Sequence, residues 1–517
     1  MNRTKFIILI LVFFAIQNFT YSQSGKLLRV EINTRLDYEI FKLIPCGESG
    51  LLLFYESTEQ AYEDSKNWYF TFYDSNLKEM WTKIVPIVND LKYKKFVREG
   101  NTVFMYFQNT GKIKSEKFNF QIIRFEIDTK NFFAISGVIP DKSELVDFEI
   151  YKQTAFVGLN LKKNQVQISA INIITGKNKL LPIDLNGLNI LEDIYIDIAD
   201  ESVQVLVNNY ISKKHNAIYI IKYDLNGNKI STVEVKTENK ENELNSAKLL
   251  SVNKDEKIMI GTYNKSTGKT TELKDNIETV STGYYFAKIV NEKQKFINYF
   301  NFLNFKNFYS ALGGREIYKI RKKAEKKKIA SKDYSLNYRL LLHDIIQHES
   351  KYILLSEAYY PEYHTVTNMI YDYYGRPVPQ SYTVFDGYKF FNAIIAGFDE
   401  EGNLLWDNGF EIWNILTFYL KKHIIFYFDK NDMILAYNSE GKIASKIFEN
   451  GEVVGDREYS EIDLMYPKDN IIDDKNSNMI HWYDNYFICY GNQEIKNNSL
   501  PKLNKRTVFY INKIAFN

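Results

Sequence analysis

Short apolar runs alternate with polar residues along most of the chain and end in polar turns, whereas helical periodicity is scarce. Runs of this kind predict β-strands. A recurrent marker joins an aromatic or apolar residue, an acidic or amide residue and a turn. It occurs as YDSNLK from Tyr73, FEIDTK from Phe125, INIITGK from Ile171, YDLNGNK from Tyr223, FDEEGN from Phe398 and YNSEGK from Tyr437. Gly227, Gly402 and Gly441 stand where a hairpin turn needs a positive φ, so the markers predict strand–turn–strand units.

A second, more apolar hairpin precedes the markers, as in residues 41–57, 96–107, 146–161, 194–210, 249–263 and 340–360. Two hairpins make four strands in about 50 residues, which is typical of one blade of a β-propeller. The pattern therefore predicts an all-β protein: a single β-propeller of seven or eight four-stranded antiparallel blades. The alternative is a row of tandem β-sandwich domains, which would show strands every 8–12 residues without a fixed repeat.

The repeat is interrupted between Phe302 and Phe391 by two insertions. The first, residues 301–335, is basic and contains RKKAEKKK at 321–328. It predicts either a short solvated helix or a docking site for an acidic polymer, a lipopolysaccharide phosphate or an acidic partner. The second, residues 359–391, is a Tyr-rich segment that we expect to be a loop. Long connections in propellers lie on one face and often carry function, so these two segments are the first candidates for a functional site.

The N-terminus has the three parts of a secretory signal. Arg3 and Lys5 precede an apolar run over residues 6–16, and small and polar residues follow up to Ser22. The apolar run is shorter than the roughly 20 residues of a transmembrane helix. Residues 1–22 are therefore predicted to be a signal peptide and residues 23–517 the propeller. We expect an exported protein that is periplasmic, outer-membrane-associated or extracellular, with no transmembrane span in the mature chain.

Charge argues against a polyanion-binding surface on the mature chain as a whole. The full chain has 66 basic and 64 acidic residues, and removal of Arg3 and Lys5 makes the two numbers equal. A neutral chain has no overall attraction to nucleic acid, so we expect no nucleic-acid partner.

The stretch from Tyr338 to Trp406 contains RLLLHDII, LLSEAYYPEY and FDGYKF and ends in AGFDEEGNLLW, which Asp407 and Asn408 follow. It resembles secreted propeller-like proteins of Bacteroidota, and the signal ending in Tyr-Ser-Gln is similar to theirs. The resemblance implies export and a propeller fold. It assigns no activity and no catalytic residue, because that group has none to carry over.

Motifs for catalysis are weak. Gly268-Lys269-Thr270 lacks the glycine five residues earlier that a phosphate-binding loop needs. We predict no metal site and no cofactor. His343 and Glu357 fall on paired strands and form one candidate acid–base group, with Asp386 as a further candidate, since a carboxylate can orient an imidazole. The alternative is a structural hydrogen bond that satisfies a buried histidine.

The Tyr-rich segment offers flat apolar rings with hydroxyl groups, which suit sugars or peptide partners. The alternative is that the rings hold a long loop against the propeller. The candidate ligand- or partner-binding residues are Tyr359, Tyr360, Tyr363, His364, Tyr371, Tyr373, Tyr374, Arg376 and Tyr388.

Cys46 lies in the first apolar hairpin, and Cys489 lies in the last, a weaker copy of the hairpin at Met479–Tyr490. Closing a propeller makes those hairpins neighbours, so we expect a disulfide between them, with two separate buried thiols as the alternative.

Taken with the fold, these residues predict an exported binding or scaffolding protein of the bacterial cell envelope rather than an enzyme. Its partner would be a glycan or an envelope protein. One alternative is a propeller enzyme that acts on an extracellular glycan through His343, Glu357 or Asp386. Another is an envelope assembly partner that uses the basic insertion.

Overall fold

A computed structural model describes residues 28–34, 41–62, 64–109, 118–212, 215–239, 241–265, 280–312, 314–329, 335–429, 432–454, 458–501 and 504–516. The predicted signal peptide at 1–22 lies outside these residues. Within them, 34 strands form eight antiparallel sheets, which we number in chain order. The all-β prediction is confirmed, and so are the four-stranded antiparallel units.

The first four sheets each contain four consecutive strands. Sheet 1 contains β2 (Lys42–Pro45), β3 (Leu51–Tyr62), β4 (Ser65–Tyr73) and β5 (Glu79–Val88). Sheet 2 contains β6 (Lys92–Glu99), β7 (Thr102–Gln108), β8 (Phe120–Glu126) and β9 (Asn131–Gly137). Sheet 3 contains β10 (Glu144–Tyr151), β11 (Thr154–Leu161), β12 (Gln165–Asn172) and β13 (Asn178–Leu180). Sheet 4 contains β14 (Leu188–Asp197), β15 (Ser202–Ser212), β16 (His215–Asp224) and β17 (Lys229–Val235).

Sheet 5 keeps this plan, and sheets 6, 7 and 8 vary it. Sheet 5 contains β18 (Asn242–Ser251), β19 (Glu256–Lys265), β20 (Gly283–Val290) and β21 (Lys293–Asn301). Sheet 6 contains β22 (Arg339–Leu342), β23 (Ile346–His348), β24 (Lys351–Tyr371), β25 (Pro377–Phe398) and β26 (Leu404–Thr417). Sheet 7 contains β27 (Ile425–Asp429), β28 (Asp432–Ser439), β29 (Lys442–Glu449), β30 (Glu452–Val453) and β31 (Glu458–Glu461). Sheet 8 contains β32 (Asn470–Tyr483), β33 (Tyr486–Lys496), β34 (Lys505–Ala515) and β1 (Leu28–Asn33).

Burial is greatest in the second strands of the sheets and least in the outermost strands. The second strands, such as β7 and β19, are almost continuously buried, whereas the outermost strands β5, β9 and β13 are largely exposed. A strand covered on both faces reads as a continuous apolar run, which is why the apolar hairpins of the sequence became the inner strands.

The core is divided into clusters, and each cluster joins two sheets that follow one another. Clusters join sheets 1 and 2, 2 and 3, 3 and 4, 4 and 5, 5 and 6, 6 and 7, and 7 and 8. One further cluster packs Leu43 and Leu51 of sheet 1 against Trp482 and Ile511 of sheet 8. The packing therefore runs through all eight sheets and returns to the first.

Sheet 8 combines the two ends of the described chain. Strand β1 pairs with β34 from Leu28–Lys513 to Asn33–Val508 and supplies the fourth strand. The Trp482 indole N–H donates to the Gly50 carbonyl of sheet 1 at 2.8 Å. The expected disulfide is wrong: Cys46 and Cys489 are both free and buried, in different clusters. Hydrogen bonds and apolar packing join the first and last sheets instead.

The basic insertion folds into two 3-10 turns, Phe302–Asn304 and Phe308–Ala311, and one helix, α1 (Gly314–Ile329). Ile320 of α1 is buried in the cluster between sheets 5 and 6, so the helix lies on the protein with one apolar face. The Tyr-rich segment is not a loop. It prolongs β24 and β25 into a hairpin that extends beyond the rest of sheet 6.

Candidate functional site

The extended hairpin is the most exposed structure of sheet 6. Strand β26 stops pairing with β25 at Tyr388, so residues 362–386, here called the arm, form a two-stranded ribbon. The side chains of β24 are buried up to Ala358, where neighbouring strands cover it, and are mostly exposed from Tyr360 onward. At about 3.3 Å per residue, the arm projects roughly 30 Å.

The tip of the arm is a closed turn built by Asp372. Its carboxylate accepts hydrogen bonds from the backbone N–H groups of Tyr374 (2.9 Å) and Arg376 (2.8 Å). Gly375 has a φ of +73°, which a residue without a side chain adopts at no steric cost. The same turn occurs at Asp224 and Asp399, so the tip is a copy of the sequence marker, YDYYGR.

Aromatic and aliphatic side chains of the arm face solvent. Tyr373 is 96% exposed, and it meets Tyr374 edge-on with ring centroids 5.4 Å apart. The Arg376 guanidinium lies 5.4 Å from the ring centroid of Tyr374. Other exposed side chains of the arm are Tyr363, Met369, Ile370, Tyr371, Val378 and Tyr382.

The predicted tyrosine set divides into two groups. Tyr359 and Tyr388 pack edge-on at the base of the arm, with centroids 5.6 Å apart, and Tyr360 packs on Phe391 at 5.8 Å. These three hold the base to sheet 6. Tyr363, Tyr371, Tyr373 and Tyr374 belong to the arm itself, and only Tyr363 has a ring neighbour on the opposite strand, Phe385 at 5.4 Å.

Aromatic contacts link the first insertion to the base of the arm. Phe308 packs on Tyr338 (5.7 Å), Tyr338 packs on Phe391 (5.8 Å), and Phe391 contacts Tyr360 at the base of the arm. The side of α1 away from the core carries exposed basic residues, namely Arg315, Lys319, Arg321, Lys322, Lys323 and Lys326. The segment that leads into the basic helix and the base of the arm are therefore connected through aromatic contacts.

His343 and Glu357 do form the predicted pair, deep inside the protein. Nε2 of His343 lies 2.7 Å from Oε1 of Glu357, and the Glu357 carboxylate is 0% exposed. The same carboxylate accepts the backbone N–H groups of His423 (2.8 and 3.1 Å) and Ile424 (2.9 Å). These donors occupy the carboxylate and fix the start of sheet 7 to sheet 6. The arrangement is that of a structural hydrogen bond.

Asp386 is separate from that pair. It lies on the arm, where Oδ1 is 2.5 Å from Nδ1 of His364 on the opposite strand. Glu357 pairs with Ala393, seven positions further along β25, which corresponds to roughly 20 Å. His343, Glu357 and Asp386 therefore do not meet in one catalytic site.

A cluster of charged groups that the sequence analysis missed connects the first strands of the sheets. Lys95 pairs with Asp147 and, at 2.7 Å, with Glu149 of the next sheet. Lys248 pairs with Asp193 at 2.7 Å and with Asp344 at 3.0 Å.

Beta-bulges precede three of these residues. The register shifts lie between Tyr93 and Lys95, between Leu145 and Asp147, and between Leu191 and Asp193. A bulge redirects the side chain that follows it. The available signal was a charged residue inside each apolar first strand, as in KYKKF, VDFEI and LEDIY.

The charges of this cluster compensate each other. Burial acts to raise the pKa of Asp344, but the ammonium groups of Lys248 and Lys422 hold that pKa below its ordinary value. Burial acts to lower the pKa of Lys248, but Asp193 and Asp344 outweigh it and raise the pKa. Asp344 nevertheless remains 80% exposed, so the cluster is reached by water. It links the sheets electrostatically. Burial raises the pKa of Asp193 to about 7, against the effect of the Lys248 ammonium, and burial also raises the pKa of Glu149.

Within the described ranges, no three His, Cys, Asp or Glu side chains are grouped so that they could hold a metal ion. Of the helical segments in those ranges, none combines the length and the apolar character needed to cross a bilayer.

No family model matches the chain, and no curated protein matches it significantly. Solved structures match it with low scores. The dihydro-heme d1 dehydrogenase NirN, in complex with DHE, has a TM-score of 0.41 at 9% identity, covering 94% of this chain and 78% of that chain. The WD40 domain of SCAP from fission yeast has a TM-score of 0.40 at 7% identity, covering 95% and 98%. The β-propeller domain of the Trilobed protease from Pyrococcus furiosus has a TM-score of 0.35 at 6% identity, covering 83% and 98%. Likeness at this level assigns no activity.

Proposed function

We propose that the eight sheets are the blades of a single β-propeller that spans residues 23–517. The circuit of core clusters supports it, because each sheet packs on the one before it and the one after it. A β-sandwich would pack its sheets in pairs instead. Strand β1 in sheet 8 supports the same proposal, since the N-terminal strand then completes the last blade.

We infer that the protein is an exported binding or scaffolding protein of the bacterial cell envelope and that the arm is its contact surface. The observation that carries this is a two-stranded ribbon whose aromatic and aliphatic side chains face water. Isolated two-stranded ribbons are marginal in water, and exposed apolar patches mark interaction sites. A partner that covers the ribbon supplies the missing burial.

The chemistry of the arm suits a glycan or an envelope protein. Tyrosine rings stack on sugars and fill pockets of partner proteins, and their hydroxyl groups stay hydrated at the rim. A glycan-cleaving enzyme is less well supported, because the buried Glu357 carboxylate is occupied by His343, His423 and Ile424.

Site-specific photo-crosslinking in cells of the source organism tests the proposed surface. One variant carries a photoreactive amino acid at Tyr373 on the arm, and the control carries it at Tyr318 of α1, which is also exposed. We expect a discrete crosslinked product from position 373 and none of that size from position 318. Identical products from both positions, or none from 373, contradict the arm as contact surface.

Export is tested on the same material. N-terminal sequencing of the mature protein is expected to begin at Gln23. A mature protein that retains residues before Phe19 contradicts the signal peptide.

A further inference from the structure

The two edges of the arm differ in their hydrogen-bonding capacity. The backbone N–H of Asp372 donates to the Arg376 carbonyl at 2.9 Å, which fixes the alternation of the ladder. In an antiparallel pair, hydrogen-bonded positions alternate with positions whose N–H and C=O groups point outward. The pair Tyr371–Pro377 is next along the ribbon, so its backbone groups point outward.

The alternation continues down the arm through Met369–Pro379 and Thr367–Ser381. The hydroxyl groups of Thr367 and Ser381 lie 2.8 Å apart, as expected for the closely spaced side chains of a pair without backbone hydrogen bonds. On β25, two of the outward positions are prolines, which have no N–H. On β24, the facing positions keep both donor and acceptor.

Prolines at outward positions are a known protection of edge strands against pairing with other chains. Within the arm, β25 has this protection and β24 does not. Residues 365–371 of β24, TVTNMIY, contain no charge, no proline and several residues with high strand propensity. An edge of this composition is a template for another strand.

We propose that the β24 edge of the arm pairs antiparallel with the β24 edge of a second copy of this chain. The two arms then form one four-stranded sheet around a two-fold axis. The inference rests on the proposed function of the arm and names its partner.

Two properties favour a second copy as the occupant. Antiparallel self-pairing around a two-fold axis brings the residues next to the axis close to their own copies, where a charge would meet a like charge, and residues 365–371 carry none. In addition, Pro377 and Pro379 would lie on the outer edges of the joined sheet and stop further strands from adding. The assembly therefore closes as a dimer instead of growing into a filament.

The test uses a matched pair of substitutions at facing positions. Thr367→Pro removes the outward donor of the β24 edge, whereas Ser381→Pro removes that of the β25 edge, and each loses the same hydroxyl contact. Light scattering coupled to size-exclusion chromatography of the purified full chain is expected to find a dimer for wild type and S381P. For T367P we expect at least a tenfold weaker dimer.

Two lysine substitutions at the same facing positions are the control for a proline that disrupts the arm itself. Thr367→Lys puts like charges near the proposed two-fold axis and is expected to dissociate the dimer, whereas Ser381→Lys is not. Equal dissociation by the two members of either pair overturns the proposal, as does a wild-type chain that stays monomeric at its solubility limit. If a monomeric chain still crosslinks another molecule through position 373, this inference fails while the proposed function stands.

Discussion

Glu192 lies at the β-bulge between Leu191 and Asp193, next to the charge cluster of the first strands. Burial raises the pKa of its carboxyl to about 8, with help from Asp193, although a hydrogen bond from Asn208 and the Lys248 ammonium act in the opposite direction. The folded protein therefore binds a proton at this site that the unfolded chain releases near its ordinary pKa of 4.5. The stabilising effect of that proton is complete below about pH 4.5, declines as the pH rises, and is lost above about pH 8.

Replacing this carboxyl by an amide removes the pH dependence that it causes. We expect Glu192→Gln to have a higher free energy of unfolding than wild type at pH 9, on the order of 1–2 kcal/mol after allowance for the partly exposed side chain. At pH 4.5 the two proteins should differ little. Urea unfolding at both pH values measures the difference, and Glu201→Gln on the surface is the control. Equal stability of E192Q and wild type at pH 9 contradicts a raised pKa.

Glu357 tests whether the buried histidine pair is structural. In Glu357→Gln the amide keeps the volume but loses the charge. In either orientation its NH2 group faces the His423 N–H, which donates to both carboxylate oxygens. We expect a loss of about 3 kcal/mol in the free energy of unfolding. Glu362→Gln, which removes a half-exposed pair with Lys389, should cost less than about 1 kcal/mol. A similar small loss in both variants would argue against the structural role.

The sequence predicted His343 and Glu357 as a pair because they lie on one hairpin. It did not predict the other donors, since His423 is 66 residues away from Glu357 and belongs to the next sheet. Contacts within a hairpin follow from register, whereas contacts between sheets depend on how the sheets pack. The His343–Glu357 pair could therefore be predicted from the sequence. The backbone N–H groups of the next sheet that also bind the Glu357 carboxylate could not.

At the scale of the element, the turn marker was a better guide than segment composition. Tyr371–Arg376 repeats the marker of Tyr223 and Phe398, and the structure has the same Asp-closed turn there. The prediction of a loop over 359–391 was wrong, because the Asp-closed turn joins two segments that contain β-branched residues into one antiparallel hairpin.

Strand β1 is the fourth strand of sheet 8, and its apolar residues pack against the cluster that joins this sheet to sheet 1. Arg29 is buried within sheet 8 and donates to Glu31, Gln493 and Asn512, each at 2.8 Å. We expect Arg29→Ala to lower the free energy of unfolding by about 3–5 kcal/mol, because it leaves the Glu31 carboxylate buried with one cation fewer. Hydrogen exchange should show faster exchange in β1 and β34 than in the wild type.

Lys505→Ala is the matched control for that variant. It removes a pair with Glu494 in the same sheet, but Lys505 is 65% exposed, so the loss should be about 0–1 kcal/mol. Unchanged exchange in β1 of the R29A variant would show that Arg29 does not hold this strand.

At the scale of the whole molecule, the repeat predicted the all-β class and the four-stranded unit. Both follow from short-range periodicity, because alternation and turn residues act within one hairpin. The way in which the ends meet could not be derived in the same manner. Cys46 and Cys489 lie in the first and last apolar hairpins as predicted, yet Cys46 faces the cluster shared with sheet 2 and Cys489 the cluster shared with sheet 7. Adjacent sheets therefore present these two side chains in opposite directions around the circuit.

Thiol labelling distinguishes closure by packing from closure by a covalent bond. Burial raises the pKa of Cys46 to about 12, against a weaker effect of Arg98, and burial also raises the pKa of Cys489. Because the thiolate is the reactive form, neither cysteine should react with iodoacetamide in the native protein at pH 8. In denaturant without reductant, mass spectrometry should find two labels on each chain, and dithiothreitol should leave the urea midpoint of the native protein unchanged. A chain that takes up labels in denaturant only after reduction contains the disulfide, and closure through β1 and the shared cluster would then be insufficient.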